Sequence, residues 1–210
     1  DISNLWKNYL VRLEDKINEL KAKPTNTFLE EQIKKLRLKV SDECASFAER
    51  ERGIYLLTVP TGGGKTFSSL RFALKHAIKH GMKKIIYVLP FTTIIEQNAS
   101  EVRNVLNCAD NLLEHHCNVI QTEHEKYKLL VQRWDCPIIF TTMVQFLNTF
   151  FESGTVSIRR FHQLDNSILI FDEIQALPIK CISLFNDTIN YLNKICHCTI
   201  VLSSATQPNL

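Results

Sequence analysis

Ile54-Tyr55-Leu56-Leu57-Thr58-Val59, followed at once by Pro60-Thr61-Gly62-Gly63-Gly64-Lys65-Thr66, decides how the rest of the chain is read. The first half is a short apolar run without charge, the pattern of a strand buried on both faces. The second half places three glycines in a row ahead of Lys-Thr. Glycine takes positive φ at no steric cost and leaves room for phosphate oxygens against backbone N–H groups. Lys65 then offers a point charge to β- and γ-phosphates, and Thr66 a hydroxyl to Mg²⁺. A helix beginning here aims its N-terminal dipole at the same anion. Thr61, Gly62, Gly63, Gly64, Lys65 and Thr66 are therefore expected to hold a nucleotide, with Mg²⁺ as its companion ion.

Working outward, four more apolar runs lie at residues 85–89, 138–140, 168–171 and 199–202, with helical periodicity over 65–80, 93–107, 124–133, 143–151 and 179–195. Strand-helix alternation of this kind implies a parallel sheet with right-handed crossovers between layers of helices. Ligands in such folds bind outside the carboxyl ends of the strands. The run ending at Phe171 is followed by Asp172-Glu173-Ile174-Gln175. An apolar strand ending in Asp places a carboxylate for Mg²⁺, here Asp172 acting partly through water. Glu173 is positioned to orient or deprotonate an attacking water, so the nucleotide is expected to be hydrolysed and not only bound. Lys65, Asp172 and Glu173 form the expected catalytic set.

Residues 1–50 have a different texture. Leu5, Tyr9, Leu13, Ile17 and Leu20 recur at three- and four-residue steps, an amphipathic helix that Pro24 interrupts. Thr27 with Glu30 resembles a capping box opening a second helix, whose apolar face is expected to carry Leu29, Ile33, Leu36, Val40, Cys44 and Phe47. The pair is expected to lead in from something upstream and to cover a sheet edge. The composition, 45% hydrophobic and 22% charged with a net charge of +3, is that of a globular chain with a core and a mild affinity for anions. No apolar stretch approaches the roughly 18 residues of a membrane span. Seven cysteines, an odd number without paired spacing, read as reduced thiols in an intracellular protein. The clusters His115-His116-Cys117 and Cys196-His197-Cys198 lack the spacing of structural zinc.

After the last run comes Ser203-Ser204-Ala205-Thr206, which alone is a polar turn. In the order glycine loop, Asp-Glu-x-Gln, Ser-Ala-Thr, the three match superfamily 2 helicases, whose loops read Pro-Thr-Gly-x-Gly-Lys-Thr. Residues 60–66, 87–98, 113–116, Thr141-Thr142-x-x-Gln145, 171–178 and 202–208 together resemble the helicase of type I CRISPR systems. The resemblance covers about residues 40–210. Asp-Glu-Ile-Gln departs from that family's more usual Asp-Glu-x-His.

The resemblance implies an α/β RecA-like P-loop domain over residues 51–210, a mostly parallel sheet between helices, preceded by a helical extension over 1–50. It implies ATP and Mg²⁺ as cofactors and movement along single-stranded DNA in the 3′ to 5′ direction. It implies recruitment by an RNA-guided CRISPR surveillance complex in a prokaryotic cytoplasm. By the same resemblance Gln175, Ser204 and Thr206 couple the nucleotide to domain movement, while Pro90, Phe91, Thr92, Thr141, Thr142 and Gln145 grip the nucleic-acid backbone. The sequence holds neither a second RecA-like domain, expected in cis to supply charge-stabilising arginines, nor a His-Asp nuclease motif. The chain by itself is thus expected to bind nucleotide, hydrolyse it poorly and cut nothing. An RNA helicase, a restriction-type translocase and a nucleotide-gated binding module are the alternatives.

Overall fold

A computed structural model describes residues 1–116, 125–151 and 154–205. In chain order the elements are α1 (Ile2–Ala22), α2 (Phe28–Phe47), β1 (Ile54–Thr58), α3 (Lys65–His80), β2 (Lys84–Leu89), α4 (Thr92–Leu106), β3 (Leu112–His115), α5 (Glu125–Arg133), β4 (Ile138–Thr142), α6 (Met143–Phe151), α7 (Thr155–His162), β5 (Ser167–Phe171), α8 (Ile182–Lys194) and β6 (Thr199–Ser204). The strands form one six-stranded sheet in the order β1-β6-β5-β2-β4-β3. All five pairings are parallel, for example Leu56 beside Leu202, Phe171 beside Leu202, and Leu89 beside Thr142. Every described strand therefore ends on the same edge.

Strand side chains alternate between two cores, as the pleat requires. Ile85, Tyr87, Leu89, Phe140, Ile170 and Val201 face α1, α3 and α4. Ile86, Val88, Ile139, Leu169, Phe171 and Leu202 face the second helical layer, which contributes Phe146, Phe185, Ile189 and Leu192. Strands β2, β4, β5 and β6 are buried along their whole length, which is why they read as unbroken apolar runs. β1 pairs only with β6 among the described residues and leaves Leu56 67% exposed.

Two elements escaped the sequence reading. β3 is four residues long and carries Glu114 and His115, so it has no apolar run. α7 follows Gly154 as a short helix carrying Arg159, Arg160 and His162 in its last turn. The lead-in helices also differ from expectation. They form a layer outside α3 and α4 and do not cover a sheet edge. α1 buries Trp6, Tyr9, Leu13 and Ile17 in the first core, and the Trp6 indole donates to the Met82 carbonyl at 2.9 Å. α2 is capped as read, with Thr27 Oγ1 accepting from Glu30 N at 3.2 Å. Its packed face carries Ser41 and Ala45 with Leu38 and Cys44 against the first core; of the expected face Cys44 packs there and Val40 is half-buried, while Leu29, Ile33, Leu36 and Phe47 are exposed. Periodicity missed this because the contact with α3 is anchored by charge: Arg71 reaches Glu14 at 2.7 Å and 2.9 Å, Asp42 at 2.8 Å and Ser41 at 3.1 Å. Among the described residues, no helix is long and apolar enough to cross a membrane.

Candidate functional site

Parallel pairing brings the loops after the strands into one row along the carboxyl edge. The β1 loop with its glycines comes first, then Ser203-Ser204 at the end of β6 and Asp172-Glu173 after β5. Pro90-Phe91 after β2, Thr141-Thr142 at the end of β4 and His115-His116 at β3 complete it.

The glycine loop is shaped by sterics. Gly62 and Gly64 sit at φ of 79° and 81°, where a side chain is strained. A Cβ on Gly63 would lie 2.4 Å from Val59 Cγ1 and 2.9 Å from the Pro60 carbonyl oxygen, so a side chain there would require the turn to shift. Gly63 N donates to Pro60 O at 2.9 Å, closing the turn, and Ser68 N donates to Gly64 O at 3.1 Å, the first full bond of α3. The amides ahead of Ser68 thus have no partner within the helix and face outward with its positive dipole end. Thr61 is exposed; Lys65 and Thr66 are half-buried at the start of α3.

Lys65 links this loop to the β5 loop. Its ammonium is ion-paired with Glu173 and lies 3.7 Å from Asp172 Oδ1. Asp172 Oδ1 accepts from Ser203 Oγ at 2.8 Å and from Glu173 N at 3.0 Å. Gln175 Nε2 donates to Glu173, and Gln175 Oε1 accepts from Ser204 Oγ at 3.0 Å. Burial pushes the Glu173 carboxyl up, but the hydrogen bonds from Lys65 and Gln175 and the Lys65 charge outweigh it and hold the group below its ordinary value. Glu173 also has φ of 51°, an unusual backbone for a non-glycine residue. The structure therefore joins Lys65, Asp172, Glu173, Gln175 and Ser204 in one hydrogen-bonded network. Ser203 belongs to it as well, although the sequence reading quoted it in the Ser203-Ser204-Ala205-Thr206 turn and gave a role only to Ser204 and Thr206. Thr206 lies outside the described residues.

The other end of the row is built differently. Phe91 is 59% exposed at the start of α4, with Thr92 half-buried beside it and Pro90 half-buried before it. Thr141 is fully buried, and its hydroxyl donates to the His115 carbonyl at 3.1 Å, which makes it a brace between β4 and β3. Thr142 Oγ1 accepts from Gln145 N at 3.2 Å, the bond of a helix N-cap for α6. The Thr141 hydroxyl thus serves the β4–β3 pairing and the Thr142 hydroxyl the start of α6. Gln145 is half-buried in the first turn of α6. His115 is buried beneath Trp134, whose Nε1–H it accepts at 3.2 Å. Burial, helped by the charges of Arg160 and His116, pushes its pKa down to about 3.

With the glycine loop, the Asp-Glu pair and the two serines on adjacent strands, the chain can be compared with known proteins. The sequence matches the DEAD/DEAH box helicase family over residues 48–210. The chain belongs to that family. It is 26% identical to the CRISPR-associated nuclease/helicase Cas3 of Haloferax volcanii, across 94% of this chain and 24% of that one. The fold is similar to that of T. fusca Cas3 bound to AMPPNP, with a TM-score of 0.69 at 18% identity over 82% of this chain and 21% of that one. It is also similar to a chain of a CRISPR RNA-guided surveillance complex in a pre-nicking state, with a TM-score of 0.57 at 20% identity over 79% of this chain and 18% of that one. The chain thus spans about a quarter of the length of the Cas3 relative. The helicase-family match begins at residue 48, so it includes the whole sheet and leaves α1 and α2 outside.

Proposed function

We propose that residues 51–210 are the first RecA-like domain of an ATP-dependent helicase that moves along single-stranded DNA in CRISPR interference, with residues 1–50 a helical extension of it. The observation that carries this reading is the network from Lys65 through Glu173 and Gln175 to Ser204. It connects three loops, from β1, β5 and β6, that a nucleotide must influence together.

The residues present fit Mg²⁺: the Thr66 hydroxyl and the Asp172 carboxylate are hard oxygen donors, and Asp172 is already held by Ser203 and the Glu173 amide. When bound, the ion neutralises charge between the β- and γ-phosphates. A triphosphate competes with Glu173 for Lys65. Once Lys65 turns to the phosphate, the Glu173 carboxylate is released to orient water and accept its proton. Gln175 follows Glu173 through its hydrogen bond, and Ser204 follows Gln175, so hydrolysis is felt at the end of β6. A second RecA-like domain in cis supplies the arginines that stabilise transition-state charge, a contribution worth roughly 10³–10⁵ in rate.

On the nucleic-acid face, Phe91, Thr92 and Gln145 present the accessible groups. Thr141 and Thr142 support them from below. Contacts of this kind position a backbone without reading its bases. The similarity to Cas3 and to a chain of a surveillance complex supports DNA as the track, recruitment by an RNA-guided complex, and a prokaryotic cytoplasmic setting. The test is ATP turnover by the full-length protein with single-stranded DNA or RNA of equal length. Stronger stimulation by DNA is expected; a preference for RNA overturns the CRISPR reading in favour of an RNA helicase.

A further inference from the structure

α2 reaches the phosphate loop through Arg37. Arg37 Nε donates to the Gly62 carbonyl at 2.7 Å. Its aliphatic stem lies across Gly64, so that a Cβ on Gly64 would come within 3.3 Å of Arg37 Cγ and 3.5 Å of its Cβ. Arg37 stands one helical turn before Ser41, on the α2 face that meets α3. That face is fixed by Arg71, which binds Ser41 and Asp42 on α2 and Glu14 on α1 from the same helix that Lys65 begins.

The consequence for the loop follows from the peptide that joins Gly62 to Gly63. Its oxygen is held by Arg37, and its N–H is held by Pro60 O at 2.9 Å. Three consecutive glycines carry the largest backbone freedom a chain can have. Fixing one central peptide at both ends removes much of that freedom and keeps the following amides turned outward. The guanidinium nitrogens beyond Nε have no hydrogen-bond partner among the described residues, so their charge stays at the loop, where a polyphosphate is attracted to it.

We infer that Arg37 is a positioning residue for nucleotide binding: it holds the glycine loop in its phosphate-ready form, which makes the lead-in helix a working part of the site. This rests on the nucleotide reading of the loop above. The experiment is titration of the full-length protein with fluorescent ADP and ATP analogues in the presence of Mg²⁺, for Arg37→Ala, Arg37→Lys and Lys65→Ala, with melting curves alongside. Arg37→Ala is expected to weaken both nucleotides about tenfold, the range for a hydrogen bond from a charged donor. Its melting temperature should stay within about 2 °C of the parent, since the side chain is exposed. Arg37→Lys keeps a donor and the charge and should recover affinity to within about threefold. In steady state the Arg37→Ala effect should lie in KM for ATP, with kcat nearly unchanged. Unchanged affinity in Arg37→Ala while Lys65→Ala abolishes binding overturns this inference alone. Binding that survives Lys65→Ala overturns the nucleotide reading and this inference with it. Equal weakening in Arg37→Ala and Arg37→Lys, together with a lowered melting temperature, shows a merely structural role and also overturns it.

Discussion

The carboxyl edge of the sheet has two halves that share a geometry and differ in chemistry. Over β1, β6 and β5, the polar side chains reach across from one loop to the next: Lys65 to Glu173, Gln175 to Ser204, Ser203 to Asp172. Over β2, β4 and β3, the Thr141 hydroxyl braces β4 to β3 and the Thr142 hydroxyl caps α6, while Phe91 stands exposed. Cross-loop bonds make the first half respond as a unit to whatever binds one of its members. Bracing and capping bonds make the second half a rigid platform. In the motor proposed above, the first half would change with the nucleotide and the second would keep its shape against a strand.

The comparison breaks most sharply at Glu173. Glu173→Gln should lower nucleotide-driven turnover of the full-length protein about 10²–10⁴-fold while leaving nucleotide affinity nearly intact. Lost affinity measured by titration would remove Glu173 from the role of base. Acid reaches beyond this edge, because buried neutral histidines lie at both ends of the sheet, His76 beside the amino end of β6 and His115 at the carboxyl end of β3. His76 on α3 bonds the Ala48 carbonyl at 2.9 Å and Thr199 Oγ1 at 2.8 Å, and burial pushes its pKa down to about 4, with the charges of His80, Arg52 and Lys79 acting the same way and the Ala48 bond against. His115 is held lower still, at about 3. A depressed folded-state pKa means that the unfolded chain takes up the proton first, so stability is complete above about pH 6.5 and is lost as the pH falls towards 4. By pH 5 the loss at His76 is about 2 kcal/mol, and His76→Gln should flatten the melting temperature between pH 7 and 5 relative to the parent.

Gly63→Ala should cost about 1–3 kcal/mol of stability through overpacking against Val59 and should also weaken nucleotide binding, two effects read by melting and titration. The smallest expected effect sharpens the comparison from the other half. Thr141→Val removes the bond to His115 and should lower stability by about 1 kcal/mol, with affinity for single-stranded DNA unchanged. A loss of DNA affinity without a loss of stability would return Thr141 to the nucleic-acid surface.

Residues whose type is dictated by the backbone or by burial were legible in sequence. Gly62 and Gly64 announce a loop whose positive φ favours glycine, and the charge-free runs announce strands covered on both faces. Asp172 and Glu173 were legible because two acids directly after such a run need a reason. What escaped depends on partners distant in sequence. β3 is a strand because β4 offers it an edge, not because of its own composition. α2 packs through Ser41 and Ala45, beside Leu38 and Cys44, because Arg71, some thirty residues later, binds there; Leu29 and Leu36, which the periodicity placed on that face, are exposed. Ser203 entered the network because β6 lies against β5, a neighbourhood only topology creates.

That same topology has a consequence in time. Ile54 pairs with Ile200, so the strand that carries the phosphate loop finds its described sheet neighbour only after nearly all the intervening chain has been made. Closing so long a loop is slow, and contacts of high sequence separation form late in folding. During synthesis the inner strands can pair first, while the glycine loop waits on an unfinished edge. The edge of the sheet that carries the phosphate loop is therefore completed only once β6 has been made.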